Sequence, residues 1–390
     1  GTVTVTAVVE PANVKVGSFT KRSGVGTQTI AHGLGMVPKA IILWTNGKTN
    51  ESFSGGYLFG YGMTDGTTSL SVAAASQDAL ATSNSSRRMA NKVLTIVDGT
   101  EVLVAEADWS SWDGTNFTLN WTTNNAAAYV IHYIAIGGAG VSAKVINWQM
   151  PSNPPFTPPG NYSVTGVGFR PNVVIHANAG GGYGGPVGNT IAGAAFGLGV
   201  MDAAGNQWST GNFTADAVAT ADAQRGQVTD ATIHTITGAL AVSKRAVFAS
   251  MDAGGFTVNF TAVSAATEMV SLALKGINAK AGSFFKSTGA QPASQSITGV
   301  GFQPGAVLLT SAQDMTQAIP VAHSRFGLGA SDGTTQGSSA FSDQDAVTPT
   351  NVDAIDKTSK VFVKVNNATA TIDAEANLTN LAADGFTLNW

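Results

Sequence analysis

Hydrophobic and polar positions alternate with a period of two along many short stretches of the chain. In Phe117-Thr-Leu-Asn-Trp121 the apolar side chains fall on one face, with Thr118 and Asn120 on the other. That is the pattern of a strand burying one face. It returns in Phe256-Thr-Val-Asn-Phe260 and Phe386-Thr-Leu-Asn-Trp390. Residues 93–97 and 101–106 are short β-branched runs broken by Asp98-Gly99, which predicts a hairpin. The continuous apolar run 128–136 predicts a strand covered on both faces. Helical periodicity is weak throughout, so the expected class is all-β.

These strands belong to a larger pattern. Gly33-Leu-Gly-Met-Val-Pro38 returns as Gly166-Val-Gly-Phe-Arg-Pro171 and as Gly299-Val-Gly-Phe-Gln-Pro304, 133 positions apart both times. Phe59-Gly-Tyr-Gly62 is followed by Phe196-Gly-Leu-Gly199 and Phe326-Gly-Leu-Gly329, with an Asp shortly after each, at 65, 202 and 332. An Asp-Ala pair then begins at Asp78, Asp216 and Asp345, and the Phe-Thr-x-Asn strand closes each series. Markers in the same order three times predict a tandem repeat. Each unit of about 133 residues is the size of a β-sandwich, here expected to be jelly-roll-like, with about seven to nine strands. The expected boundaries are 17–141, 142–281 and 282–390, the third with the N-terminal strand 1–16 available to complete it.

The ends of the series differ. Unit 1 continues past Trp121, and unit 2 past Phe260, into an apolar strand, whereas unit 3 reaches Trp390 without one. The stretch from Val3 to Val9, followed by Val16-Gly-Ser-Phe19, aligns at a constant offset of 265 with the stretch from Glu268 to Leu274, followed by Ala281-Gly-Ser-Phe284. Val3, Val5, Ala7 and Val9 are therefore candidates for strand closure. An unpaired sheet edge invites another strand. Three arrangements are open: a ring of three within one chain, strand exchange into a neighbouring copy, or a chain that is a fragment. The five prolines of residues 150–160 suggest a stiff link between units 1 and 2. The run Gly180-Gly-Gly-Tyr-Gly-Gly185 suggests a loop peculiar to unit 2.

Composition narrows the function. Only 11% of the 390 residues are charged and the net charge is −4, against a usual charged fraction of about 25%. The basic residues form nothing denser than the pairs Lys21-Arg22, Arg87-Arg88 and Lys244-Arg245, so nucleic acid is not the expected partner. With no cysteine, disulfides and thiolate chemistry are excluded. No apolar run reaches the roughly 18 residues of a membrane span, and the first residues resemble neither a signal peptide nor a targeting helix.

Candidate chemistry is sparse. The five histidines are scattered and read as strand or turn residues. Gly-x-Ser-x-Gly, His-Glu-x-x-His and phosphate-binding loop motifs are absent, so no catalytic residue is expected. Asp78, Asp216 and Asp345 are the best polar candidates, either as Ca²⁺ ligands helped by Asp343, Asp353 or Asp356, or as caps on backbone N–H groups. Ca²⁺ is the one cofactor left open. Asp108-Trp-Ser-Ser-Trp-Asp113 has no counterpart in the other units. Trp109 and Trp112 could stack on a sugar, with Asp108, Asp113 and Asn116 as hydrogen-bonding partners, or pack at an interface. Nine Asn-x-Ser/Thr triplets match the accidental yield of an Asn-, Ser- and Thr-rich chain.

The order Gly-x-Gly-Phe-x-Pro-strand (166–171 and 299–304), Asp-Gly-Phe-Thr-Leu (384–388) and an Asn-rich turn leading to an apolar strand (124–136) resembles repeat modules in structural proteins of tailed-phage virions, of head-surface decoration or tail-fibre type. The resemblance implies a self-assembling, non-enzymatic β-sandwich protein displayed on a virion surface or otherwise extracellular. Its partners would be identical subunits or other virion proteins. A looser likeness to H-type lectin sandwiches implies, as the alternative, a carbohydrate-binding module for attachment to a cell-surface glycan.

Overall fold

A computed structural model describes residues 13–180, 183, 187–313 and 319–390. Val3, Val5, Ala7 and Val9, and most of the glycine run at 180–185, lie outside the described residues. Among those described there is no helix, and the chain is all-β. Its strands form six antiparallel sheets that pack face to face in three pairs.

In the first pair the larger sheet runs Asn13–Thr20, Val130–Gly137, Pro38–Thr45, Tyr57–Thr64, Ser69–Ser76 and Ser85–Ala90. The smaller runs Gly26–Ala31, Asn116–Thr123, Leu103–Trp112 and Leu94–Val97. The second pair repeats that order. Its larger sheet runs Ser142–Met150, Thr267–Lys275, Val173–Asn178, Ala194–Asp202, Gln207–Thr214 and Ala223–Val228. Its smaller sheet runs Gly160–Val164, Gly255–Ala262, Ala241–Asp252 and Ile233–Thr237. The third pair has Val307–Ser311, Ser324–Ser331, Gln336–Asp343 and Val352–Lys357 against Ser294–Thr298, Gly385–Asn389, Ile372–Ala382 and Phe362–Val365. Hairpin-linked neighbours dominate both sheets, so the order is more that of a meander than of the paired Greek keys of a jelly roll.

The sequence patterns explain these elements. Val130–Gly137 is buried on both faces, with Ile134 and Ile136 on one core and Ile131, Tyr133 and Ala135 on another. The Asp98 carboxylate holds its hairpin turn by accepting the N–H groups of Thr100 and Val102. In each Phe-Gly-x-Gly marker the second glycine admits the backbone of the facing sheet. A Cβ at Gly62 would lie 1.9 Å from the Val93 carbonyl oxygen, one at Gly199 1.9 Å from that of Thr232, and one at Gly329 2.1 Å from that of Val361.

The phenylalanine of the same marker points the other way. Phe59, Phe196 and Phe326 meet with ring centroids 4.5, 4.9 and 5.5 Å apart, inside a core shared by all three larger sheets. The sandwiches are also joined by cyclic strand addition. Thr190–Ala192 of the second extends the first beside Ser85–Ala90. Val321–Ala322 of the third extends the second beside Ala223–Val228. Ser54–Gly55 of the first extends the third beside Val352–Lys357. Each addition covers an edge that would otherwise be open. The ring of three thus closes through contacts that do not involve residues 1–12.

The aspartates after the markers stitch the same ring. Asp65 accepts the Val145 N–H at 2.8 Å, Asp202 that of Ala281 at 3.0 Å, and Asp332 that of Val16 at 3.0 Å. Lys15 adds an ion pair to Asp332 at 2.8 Å. Partial burial pushes the Asp332 carboxyl up, but hydrogen bonds from Lys15, Thr335, Thr334 and Val16 outweigh it and hold it at about 2. A depressed carboxyl stabilises the fold above its unfolded value, and that contribution is lost as the pH falls through about 2. At pH 7, Asp332→Ala is expected to lower the unfolding free energy by about 1–3 kcal/mol, because it orphans a backbone donor. An unchanged urea midpoint would show that the stitch carries no stability.

The proline-rich segment does not link sandwiches one and two. Ser142–Met150, which precedes it, already pairs with Thr267–Lys275 inside the second larger sheet. Residues 150–160 therefore connect two strands of the second sandwich, and the passage between sandwiches is the short turn at 138–141. Ladder pairing far along the chain overrides local stiffness.

Candidate functional site

The repeated Asp-Ala pairs lie at the three junctions between sandwiches. Asp78 accepts the Val352 N–H at 2.8 Å, Asp216 that of Ser85 at 2.8 Å, and Asp345 that of Ala223 at 2.9 Å. Each following alanine is held at positive φ, 59° at Ala79, 56° at Ala217 and 59° at Ala346. Their N–H groups donate to the carbonyls of Thr350, Ser83 and Ala221 on the neighbouring sandwich. Non-glycine residues adopt this conformation at a cost of about 1–2 kcal/mol, offset here by two hydrogen bonds per junction. The three aspartates act as caps on backbone donors. Asp353 is half-buried, and burial followed by the Asp78 charge raises its carboxyl above the usual range, against Lys48. Among the described residues no group of three or more His, Asp and Glu is placed to hold a metal ion.

Inside the junctions sits a polar group that the sequence offered only as a helper. Ser76, Thr214 and Asp343 end corresponding strands of the three larger sheets. Asp343 is 1% exposed and accepts the Thr214 hydroxyl at 2.9 Å, while its Oδ1 has no hydrogen-bond partner. Burial pushes this carboxyl up to about 7, with Asp345 and Asp78 adding to the rise and hydrogen bonds from Ser76 and Thr214 opposing it. The Tyr57 ring, fully buried, stacks on Phe341 at 3.9 Å, and burial followed by the Asp343 charge raises its hydroxyl well above the usual value.

The tryptophan pair sits near the end of the strand Leu103–Trp112 in the first sandwich. Trp109 and Trp112 make an edge contact with centroids 4.7 Å apart, and Trp109 lies nearly parallel to Phe117 at 6.3 Å. Both are half-buried against the core between the two sheets. Trp112 also covers Gly66, where a Cβ would come within 2.3 Å of the indole. Asp108 pairs with Lys92 at 2.8 Å. Asp113 accepts the N–H groups of Asn116 and Thr115, each at 2.7 Å, which hold its carboxyl below the usual range. Asn116 begins a strand and faces Ala31 in the ladder. The structure brings these residues together, with both carboxylates engaged locally.

Other polar groups escaped sequence reasoning. Arg87 donates to the Gly193 carbonyl at 2.7 Å and Arg225 to that of His323 at 2.6 Å, so both arginines clamp added strands. His132 stacks on Trp44 at 5.2 Å and lies 3.8 Å from Asp356, both fully enclosed between the first and third sandwiches. Neither His132 nor His234 has a hydrogen-bond partner on its ring nitrogens. Burial lowers His176 to about 3, and burial followed by the Arg245 charge lowers His234 to about 4. Tyr183, in the glycine run, is fully buried and bonds the Asn189 carbonyl at 2.8 Å. A shallow depression of about 700 Å³ is lined by Arg170, Asn172, Phe248, Met251 and Lys275 among others, with no carboxylate in its wall.

Compared with protein-family models, curated proteins and solved structures, the chain has no match.

Proposed function

We propose that this chain is a non-enzymatic structural protein of a virion surface, a head-decoration or tail-fibre component, acting through contacts with identical subunits or other virion proteins and by display. The observation that carries the reading is the use of the repeated polar residues. Asp65, Asp202 and Asp332, and Asp78, Asp216 and Asp345, all hold one sandwich to the next. A chain whose recurring chemistry is spent on locking three sandwiches into one body is suited to bearing load and presenting surface. The low charge supports this, since close-packed copies then crowd few like charges.

Antibodies raised against the purified chain should label particles in lysates of the cells that produce it, seen by gold labelling in the electron microscope. Label confined to cell material would overturn the reading. The carbohydrate-binding alternative rests on the half-exposed Trp109–Trp112 pair. On a glycan array the chain is expected to bind nothing. A signal that disappears in the Trp109→Ala, Trp112→Ala double variant would replace the structural reading by host attachment.

A further inference from the structure

Opposite ends of the body are complementary, and we propose that copies of this chain stack head to tail, the turn at 98–102 of one entering the depression beside Arg170 of the next. The contact deepens the structural reading of the chain and rests on it. In each larger sheet the strand before the first repeated aspartate runs to one end and the next strand returns, so that Thr64 faces Ser69 and Tyr57 faces Ser76. Asp65, Asp202 and Asp332 therefore ring one end of the body, and Asp78, Asp216 and Asp345 ring the other.

The depression opens at the first end, where Ala203 follows Asp202 and donates its N–H to the Asn172 carbonyl at 2.9 Å. The ladders show how it arises. Phe248 and Met251 stand opposite Val258 and Phe256, the places that Trp109 and Trp112 take opposite Leu119 and Phe117. Trp112 covers Gly66 in the first sandwich, and Leu381 covers Gly333 in the third, 3.0 Å from where a Cβ would be. In the second, Ala203 stands in the glycine's place and Met251 is 3% exposed within its own core, so the space stays open. Two cations that the first sandwich lacks line it. Arg170 stands where that sandwich has Val37, and Lys275 where it has Gly137. The Arg170 Nε donates to the Met251 carbonyl at 2.6 Å, which fixes the guanidinium plane. Its terminal nitrogens and the Lys275 ammonium have no partner among the described residues, and both side chains are exposed. In a chain of net charge −4, a wall with two cations and no carboxylate selects an acidic group.

The turn at 98–102 supplies one at the other end. The Ser86 hydroxyl donates to the Asp98 carbonyl at 2.6 Å, one residue from the Ser85 N–H that Asp216 accepts. With the turn braced by Asp98, Glu101 is exposed at a φ of 64°, and its carboxylate has no partner among the described residues. Val102 beside it is 54% exposed. A carboxylate next to a bare apolar side chain matches a pocket of two cations walled by Phe248 and Met251. A braced turn also gives up little freedom on docking. Because turn and depression lie at opposite ends, the contact is heterologous and runs on from copy to copy rather than stopping at a dimer.

Sedimentation velocity on the full chain at rising concentration tests the contact. The parent should form species beyond the dimer, more of them at about 0.05 M salt than at about 0.5 M, where exposed charges are screened. Arg170→Glu and Glu101→Arg should each stay monomeric alone, because like charges then meet. An equimolar mixture of the two should associate again, since each variant supplies the end that the other lacks, and that recovery also shows both to be folded. Should Arg170→Glu melt below the parent, Lys275→Glu takes its place in the mixture. Association of Arg170→Glu as strong as the parent's would overturn the inference, and so would a mixture of well-folded variants that stays monomeric. A parent that stops at a discrete dimer would equally end it. A parent monomeric at every concentration would hand the depression to another partner, and the gold label on particles would still decide the virion reading separately.

Discussion

Phe196→Ala should destabilise the whole chain by about 3–5 kcal/mol, the range for deleting a buried aromatic ring. The side chain is 1% exposed and touches the rings of Phe59, Phe326 and Phe341, contributed by the other two sandwiches. The cavity would open where three larger sheets converge, each held by its own ladder, so collapse around it is limited. Folded domains are stable by only about 5–15 kcal/mol, so the loss is a large share of the total. Guanidinium unfolding followed by circular dichroism reads it directly. Phe285→Ala, at a side chain 86% exposed, should stay within about 0.5 kcal/mol. A Phe196 loss below about 1 kcal/mol would mean that the shared core does not couple the sandwiches.

Asp343→Asn should raise stability in alkaline solution and leave it nearly unchanged in acid. The folded-state value of Asp343 is raised to about 7, against about 3.9 when unfolded. A raised value favours the fold below pH 4, and that advantage is lost as the pH rises to 7. Three units at 1.36 kcal/mol each set the difference at about 4 kcal/mol. The amide cannot ionise, so at pH 8 the variant should exceed the parent by up to that amount, less any weakening of the bond from Thr214. His176 and His234, lowered by burial, act in the opposite sense, destabilising the fold as the pH falls below about 6.5. They do so equally in both proteins and cancel in the comparison. Urea unfolding at pH 4, 6 and 8 measures the gap, and a gap independent of pH would mean that Asp343 does not titrate in this range.

Much of the strand pattern was legible because it depends on neighbours in the chain. Alternation in Phe117–Trp121, the turn at Asp98-Gly99 and the twice-covered run ending at Ile136 are local properties, and each became the expected element. The purpose of the recurring markers was not local. Asp78 caps a residue 274 positions away and Asp216 one 131 positions away, and no spacing rule connects a carboxylate to a donor at that distance. The role of Asp343 is not legible either, since nothing in Ser-Asp-Gln-Asp shows that one aspartate faces the interior and the next faces a junction. Tyr183 was hidden by the glycines around it. The tryptophan pair was legible as a cluster, but the packing of Trp112 over Gly66, far back in the chain, was not.

The short strands Ser54–Gly55, Thr190–Ala192 and Val321–Ala322 have a consequence for how such a chain evolves. In a linear array each repeat meets only its neighbours, so copies are gained or lost with little penalty. Here every sandwich gives a strand to one neighbour and takes one from the other, and the first closes the ring by giving to the last. Removing one copy would leave two bodies whose giving and receiving edges no longer face each other, and adding a fourth would pull the three phenylalanines apart. Within these three sandwiches each copy is tied to both others, leaving sequence drift within the copies as the route by which they diverge.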